Sequence, residues 1–251
     1  MNAPGAIALL GGREHRTASA AIDRRLLARV GHPGARVAVI PAASTAAGMP
    51  ATAALARNHW TSLGARATIV MASTALTPRT EQVLGEADIV VLTGGVPGRL
   101  VRALGASQVW ERVLDVWRGG TALSGSSAGA IALFAWRLAL RAPHPLRLVP
   151  GLGPLDGYVC VPHFERFVRP LPALHPWVRR TERGMHGAGI VGIDEATALV
   201  IADGGHEVVG RGGVTIIDDL GWRTHRRGET VDLACGPAAH PVLRAVRPAA
   251  A

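Results

Sequence analysis

The run Gly125-Ser126-Ser127-Ala128-Gly129-Ala130 places Ser127 between two glycines. An apolar stretch, Thr121-Ala122-Leu123, precedes it, and small residues from Ala128 to Ala139 read as a helix behind it. This is the strand–turn–helix setting of a G-x-S-x-G nucleophile elbow. The turn strains the serine backbone, and side chains on the flanking residues would collide, so glycine is required there. The hydroxyl projects over the sheet edge. The helix N-terminus behind it favours negative charge developing on a substrate. Ser127, rather than Ser126 or Ser124, is the expected nucleophile, because only Ser127 has glycine at both the −2 and +2 positions.

A serine hydroxyl is a weak nucleophile until a base takes its proton. The chain has no lysine and ten histidines, so the base should be histidine. His163 follows the apolar run Tyr158-Val159-Cys160-Val161. That places it at a carboxyl edge, where α/β sheets hold ligands. Glu195 ends another apolar run, Gly192-Ile193-Asp194-Glu195, and could orient an imidazole. An oxyanion needs backbone N–H donors. One is the amide of Ala128, directly after the serine. A second is Gly95, in the Thr93-Gly94-Gly95 turn.

The elements that must position these groups alternate. Strands are expected at Ile7–Leu10, Val37–Ile40, Ala67–Met71, Ile89–Leu92 and 121–127. Helices are expected over 20–30, 50–63, 80–87 and 107–117, with a period of about 30 residues per strand–helix unit. Continuous apolar strands point to a parallel sheet covered on both faces. Beyond residue 190 the texture changes. Ile190 to Ile201, Glu207 to Gly210 and Val214 to Ile217 read as consecutive strands, an antiparallel extension of that sheet. The segment 141–156 and the Pro-rich 170–177 read as irregular. Residues 1–251 are expected to form a single α/β hydrolytic domain.

Composition narrows the function. The chain is 48% hydrophobic but only 4% aromatic, so the core must be Ala, Val, Leu and Ile. Its 27 basic residues, all arginine, exceed 18 acidic ones. They are scattered, with few aromatics among them, which argues against a nucleic-acid surface. Cys160 and Cys235 give no disulfide framework. The C-x-x-H spacing of Cys160 and His163 has no second ligand pair, so no metal is expected. Neither a signal peptide nor a membrane span is legible, and a soluble cytoplasmic protein without cofactor is expected.

Four blocks together resemble a known family, the S51-type serine peptidases that include dipeptidase E and cyanophycinase. They are Thr93-Gly94-Gly95; Gly125 to Ala130; Gly151-Leu152-Gly153 leading to His163-Phe164; and Gly192-Ile193-Asp194-Glu195-Ala196-Thr197-Ala198-Leu199. The resemblance implies a class I glutamine-amidotransferase-like sheet and a Ser–His–Glu triad. It carries over to Ser127, His163 and Glu195, with the Gly95 and Ala128 amides as oxyanion donors. It also implies a small peptide substrate and a homodimer.

The chain departs from the family at Val96-Pro97 and Val161-Pro162, where relatives carry polar residues. Val96, Ser126 and Arg166 are the residues expected to face the substrate. Arg166 and Arg169 follow the histidine at a spacing unlike that of cyanophycinases, so poor turnover of β-aspartyl-arginine is expected. Two alternatives stand beside this reading. One is a binding protein that kept the elbow but lost its pocket. The other is an α/β-hydrolase-type esterase using a late histidine, His225 or His240.

Overall fold

Apolar runs build the centre of a seven-stranded sheet in a computed structural model that describes residues 3–141, 144–167 and 189–233. The first half of the chain alternates: β1 (Ile7–Leu10), α1 (Ala20–Val30), β2 (Arg36–Ile40), α2 (Met49–Ser62), β3 (Arg66–Ile69), α3 (Pro78–Gly85) and β4 (Ile89–Leu92). Then come α4 (Pro97–Leu104), α5 (Gln108–Arg118), β5 (Ala122–Ser126) and α6 (Ala128–Ala132). A hairpin follows, β6 (Trp136–Arg141) and β7 (His144–Pro150). The last elements are β8 (Tyr158–Pro162), α7 (Phe164–Phe167), β9 (Gly189–Ile193), β10 (Thr197–Ala202), β11 (Gly205–Gly210), β12 (Gly213–Asp218) and β13 (Gly221–Arg226).

The large sheet has the order β11-β10-β1-β5-β4-β2-β3. Strands β1, β5, β4, β2 and β3 run parallel, and β10 and β11 extend the sheet antiparallel. Both faces are covered. Ile7 and Leu9 of β1 join one core with Leu100 of α4 and Val113 of α5, whereas Ala8 and Leu10 join another with Ile22 of α1 and Trp60 of α2. Side chains alternate across a strand, so a strand buried on both faces reads as an unbroken apolar run. Truncating a residue such as Leu9, fully buried, would cost roughly 2–5 kcal/mol.

Three expectations are corrected by the folded chain. The helix read over Ala128–Ala139 stops at Ala132. Alanine permits a helix there, but tertiary pairing overrides propensity: the Ala135 amide donates to Leu155, and residues from Trp136 onward pair with β7. The segment expected to be irregular from 141 therefore supplies a strand as far as Pro150. The run Ile190–Ile201 divides at Asp194–Ala196, where Ala196 has φ 52°. Its first half, β9, lies in a second sheet of order β13-β12-β9-β8, and its second half lies in the large one. Strand β12 likewise belongs to the second sheet. The stretch 170–177, Arg169, Cys235 and His240 lie outside the described residues. Among the described residues, no helix is long and apolar enough to cross a membrane.

Candidate active site

Strand β5 ends at Ser126, and the chain turns abruptly into α6. Ser127 takes φ 48° and ψ −104°, a conformation that side-chain-bearing residues seldom adopt. Its amide is held by the carbonyl of Leu10 at the end of neighbouring β1. The two flanking glycines meet each other: a Cβ on Gly125 would lie 2.6 Å from the carbonyl carbon of Gly129. That is the collision the sequence pattern anticipates at such a turn.

His163 also has positive φ, 52°. It follows β8, and its amide donates to Gly11 while its carbonyl starts α7. Its ring lies over the Gly11-Gly12 turn after β1. A Cβ on Gly12 would run into that ring, so glycine there makes room for the imidazole. The Phe167 ring stands perpendicular to it, with centroids 6.1 Å apart.

The structure brings Ser127, His163 and Glu195 into one line. Ser127 Oγ lies 3.1 Å from His163 Nε2, and His163 Nδ1 lies 2.9 Å from Glu195 Oε1. The carboxylate therefore selects the tautomer with hydrogen on Nδ1, which leaves the Nε2 lone pair facing the hydroxyl. The Glu195 side chain is only 11% exposed. Arg13 Nε hydrogen-bonds its other oxygen, and Arg166 Nε is 3.3 Å from Oε1. Burial pushes this carboxyl up. Hydrogen bonds from Arg13 and His163, with the charges of Arg13 and Arg166, outweigh burial and hold it below the usual carboxylate range. It stays ionised wherever an imidazole base is neutral. The Glu195 amide in turn donates to Glu165.

The other expected residues fall as follows. Among the described residues the amides of Gly95 and Ala128 have no protein acceptor, so both are free to bind a substrate oxygen. Val96 is about half exposed, and its amide donates to Ala43. Pro97 occupies the first position of α4, where its missing N–H costs nothing. Helix α4, which Pro97 opens, is absent from the expected elements. Ser126 is buried, and its hydroxyl donates to Glu14. Arg166 lies beside the triad carboxylate, its Nε 3.3 Å from Glu195 Oε1, with the side chain 57% exposed. His225 of the esterase alternative lies on β13, in the second sheet. His163 is the histidine that meets Ser127.

Sequence reasoning missed Arg13, Glu14 and His15. Arg13 and His15 have φ 62° and 56°, so this loop is wound tightly against the site. His15 is buried, its ring 5.5 Å from that of His59, which bonds Asp23 at 2.7 Å. Burial, then the charges of His59 and Arg16, lower its pKa to about 4, against the pull of Glu14. A histidine normally titrates near 6.5. Unfolded chain therefore takes up this proton first as pH falls. The stability that His15 contributes is complete above pH about 6.5 and is lost progressively down to about 4, by roughly 3 kcal/mol. The raised pKa of Asp23, due to burial, works in the opposite direction. Urea unfolding between pH 7 and 4 should show this loss in the wild type and not in His15→Gln. Parallel curves for the two proteins would refute it.

A parallel α/β sheet with a serine, a histidine and a carboxylate at its edge defines a class of hydrolytic fold. The model of peptidase family S51 matches residues 7–209, so the chain belongs to that family and is a peptidase. Its fold matches the crystal structure of a peptidase from an acI-B1 actinobacterium, with TM-score 0.76 and 23% identity, covering 91% of this chain and 96% of that one. It also matches a candidate peptidase E from Listeria monocytogenes EGD-e, with TM-score 0.62 and 16% identity, over 84% of this chain and 100% of that one. No curated protein matches in sequence.

Proposed function

We propose that the protein is a serine peptidase that cleaves a small peptide or amide bond through an acyl-enzyme. The hydrogen-bonded line Ser127–His163–Glu195 carries this reading. Ser127 Oγ attacks the scissile carbonyl as His163 Nε2 takes its proton. The amides of Gly95 and Ala128 stabilise the oxyanion. Glu195 stabilises the imidazolium, which then protonates the leaving amine. Water, deprotonated by the same imidazole, releases the acyl group and restores the serine.

Val96 and Pro162, where relatives carry polar residues, leave fewer side-chain hydrogen-bonding groups for a polar substrate. This supports a substrate other than β-aspartyl-arginine. Treatment with a fluorophosphonate probe, followed by peptide mapping, tests the mechanism. One adduct on Ser127 is expected. An adduct on Ser126, or an unreactive protein, would refute it.

A further inference from the structure

Three consecutive residues of the loop after β1 bond the segments that carry His163 and Glu195. The Gly11 carbonyl accepts the His163 amide at 3.0 Å. The Gly12 carbonyl accepts the amide of Ala196, next to Glu195, at 3.2 Å. The Arg13 guanidinium then hydrogen-bonds Glu195 Oε2 through Nε. The loop is itself fixed, because the buried Ser19 hydroxyl donates to the Arg13 carbonyl at 2.9 Å.

The two oxygens of Glu195 therefore have different duties. Oε1 faces His163 Nδ1, and Oε2 is turned to Arg13. The last torsion of a glutamate is broad, so a carboxylate held at one oxygen alone can swing. Bonding the second oxygen holds the first against the ring. Arg13 also acts by charge. Its guanidinium stands across one carboxylate from an imidazole that must become imidazolium, and like charges disfavour each other. The other charged groups around the pair are Arg166, 3.3 Å from Oε1; Glu165, which accepts the Glu195 amide; and Glu14, which accepts the Ser126 hydroxyl. Of these groups, Arg13 bonds the oxygen that the imidazole does not use.

We propose that Arg13 is a positioning residue for the hydrolysis: it locks the Glu195 carboxylate against His163 and extends the imidazole's use as a base towards lower pH. The proposal rests on Ser127, His163 and Glu195 acting as a triad.

The test follows the second-order rate of fluorophosphonate labelling at Ser127 from roughly pH 5 to 9, in wild type, Arg13→Met and Arg13→Lys. Methionine keeps an apolar stem without charge. Lysine keeps the charge without the planar fork of N–H donors. Arg13→Met should label about threefold to tenfold more slowly on the plateau, the size of one lost hydrogen bond. Its acidic limb should lie about 0.5–1 pH unit higher, because the charge opposing ring protonation is gone. Arg13→Lys should lose part of the plateau rate and keep the wild-type limb. Arg13 is 53% exposed, so salt should screen its charge. Raising salt from about 0.1 M to 1 M shortens the screening length from about 10 Å to 3 Å, and the wild-type limb should move towards that of Arg13→Met.

A merely structural role would slow both variants and leave the limb in place. An Arg13→Met limb that coincides with wild type overturns the proposal. So does an Arg13→Lys limb displaced as far as that of Arg13→Met. A wild type that does not label at Ser127 refutes the triad itself, so the two failures are distinguishable.

Discussion

Ser127→Ala is expected to lose hydrolysis by a factor on the order of 10⁶ in kcat, the size that removal of a triad nucleophile reaches. His163→Ala should be about equally inactive. The double variant should be barely worse than either, because proton transfer and attack are one event that fails when either partner is missing. The fold should survive both changes. Ser127 packs through its backbone, its amide held by Leu10, and alanine keeps that bond. The His163 ring has a side-chain exposure of 26%, so truncating it empties a partly solvated space. Kinetics on a cleaved dipeptide, with circular dichroism as the control, read this directly. If the losses of the single variants multiplied in the double variant, the two residues would not act as a unit.

Glu195→Gln is expected to lower kcat by about 10³- to 10⁴-fold with little change in KM. Two losses combine. The imidazolium formed during attack no longer faces a carboxylate. The glutamine amide can also donate to Nδ1, which moves the ring hydrogen to Nε2, where it blocks acceptance of the serine proton. The change additionally leaves Arg13 and Arg166 without their shared anion. Arg13 has 53% side-chain exposure and Arg166 57%, so water takes over their solvation and the stability cost is small. A variant retaining more than a tenth of wild-type kcat would show that the carboxylate merely holds the arginines.

The parallel strands were legible because burial on both faces leaves nothing polar in them, as Ile89-Val90-Val91-Leu92 shows. The elbow was legible because its glycines answer a steric demand that the sequence states by itself. His163 and Glu195 were legible as ends of apolar runs. Their meeting was not, since it depends on which strands become neighbours. Glu14 gave no signal for the same reason. After the glycine pair it resembles any charged loop residue, and it acquires meaning only because β1 pairs with β5 and carries the loop to Ser126. Helix α4 was not legible because it is only Pro97–Leu104, eight residues, too short for its apolar spacing to stand out. The β6–β7 hairpin was missed because an alanine-rich stretch suits a helix until a partner strand claims it.

The line of hydrogen bonds is shared between two sheets. Ser127 is fixed to the large sheet through β5, and His163 to the small one through β8. Glu195 sits in the turn where the chain steps from β9 to β10, and so from one sheet to the other. The proposed catalytic line is thus a seam, with one plate on either side and the carboxylate on the stitch. A shear of half an ångström between the plates would leave every strand intact and still part Oγ from Nε2. Registry between the two sheets is therefore a condition of the proposed activity.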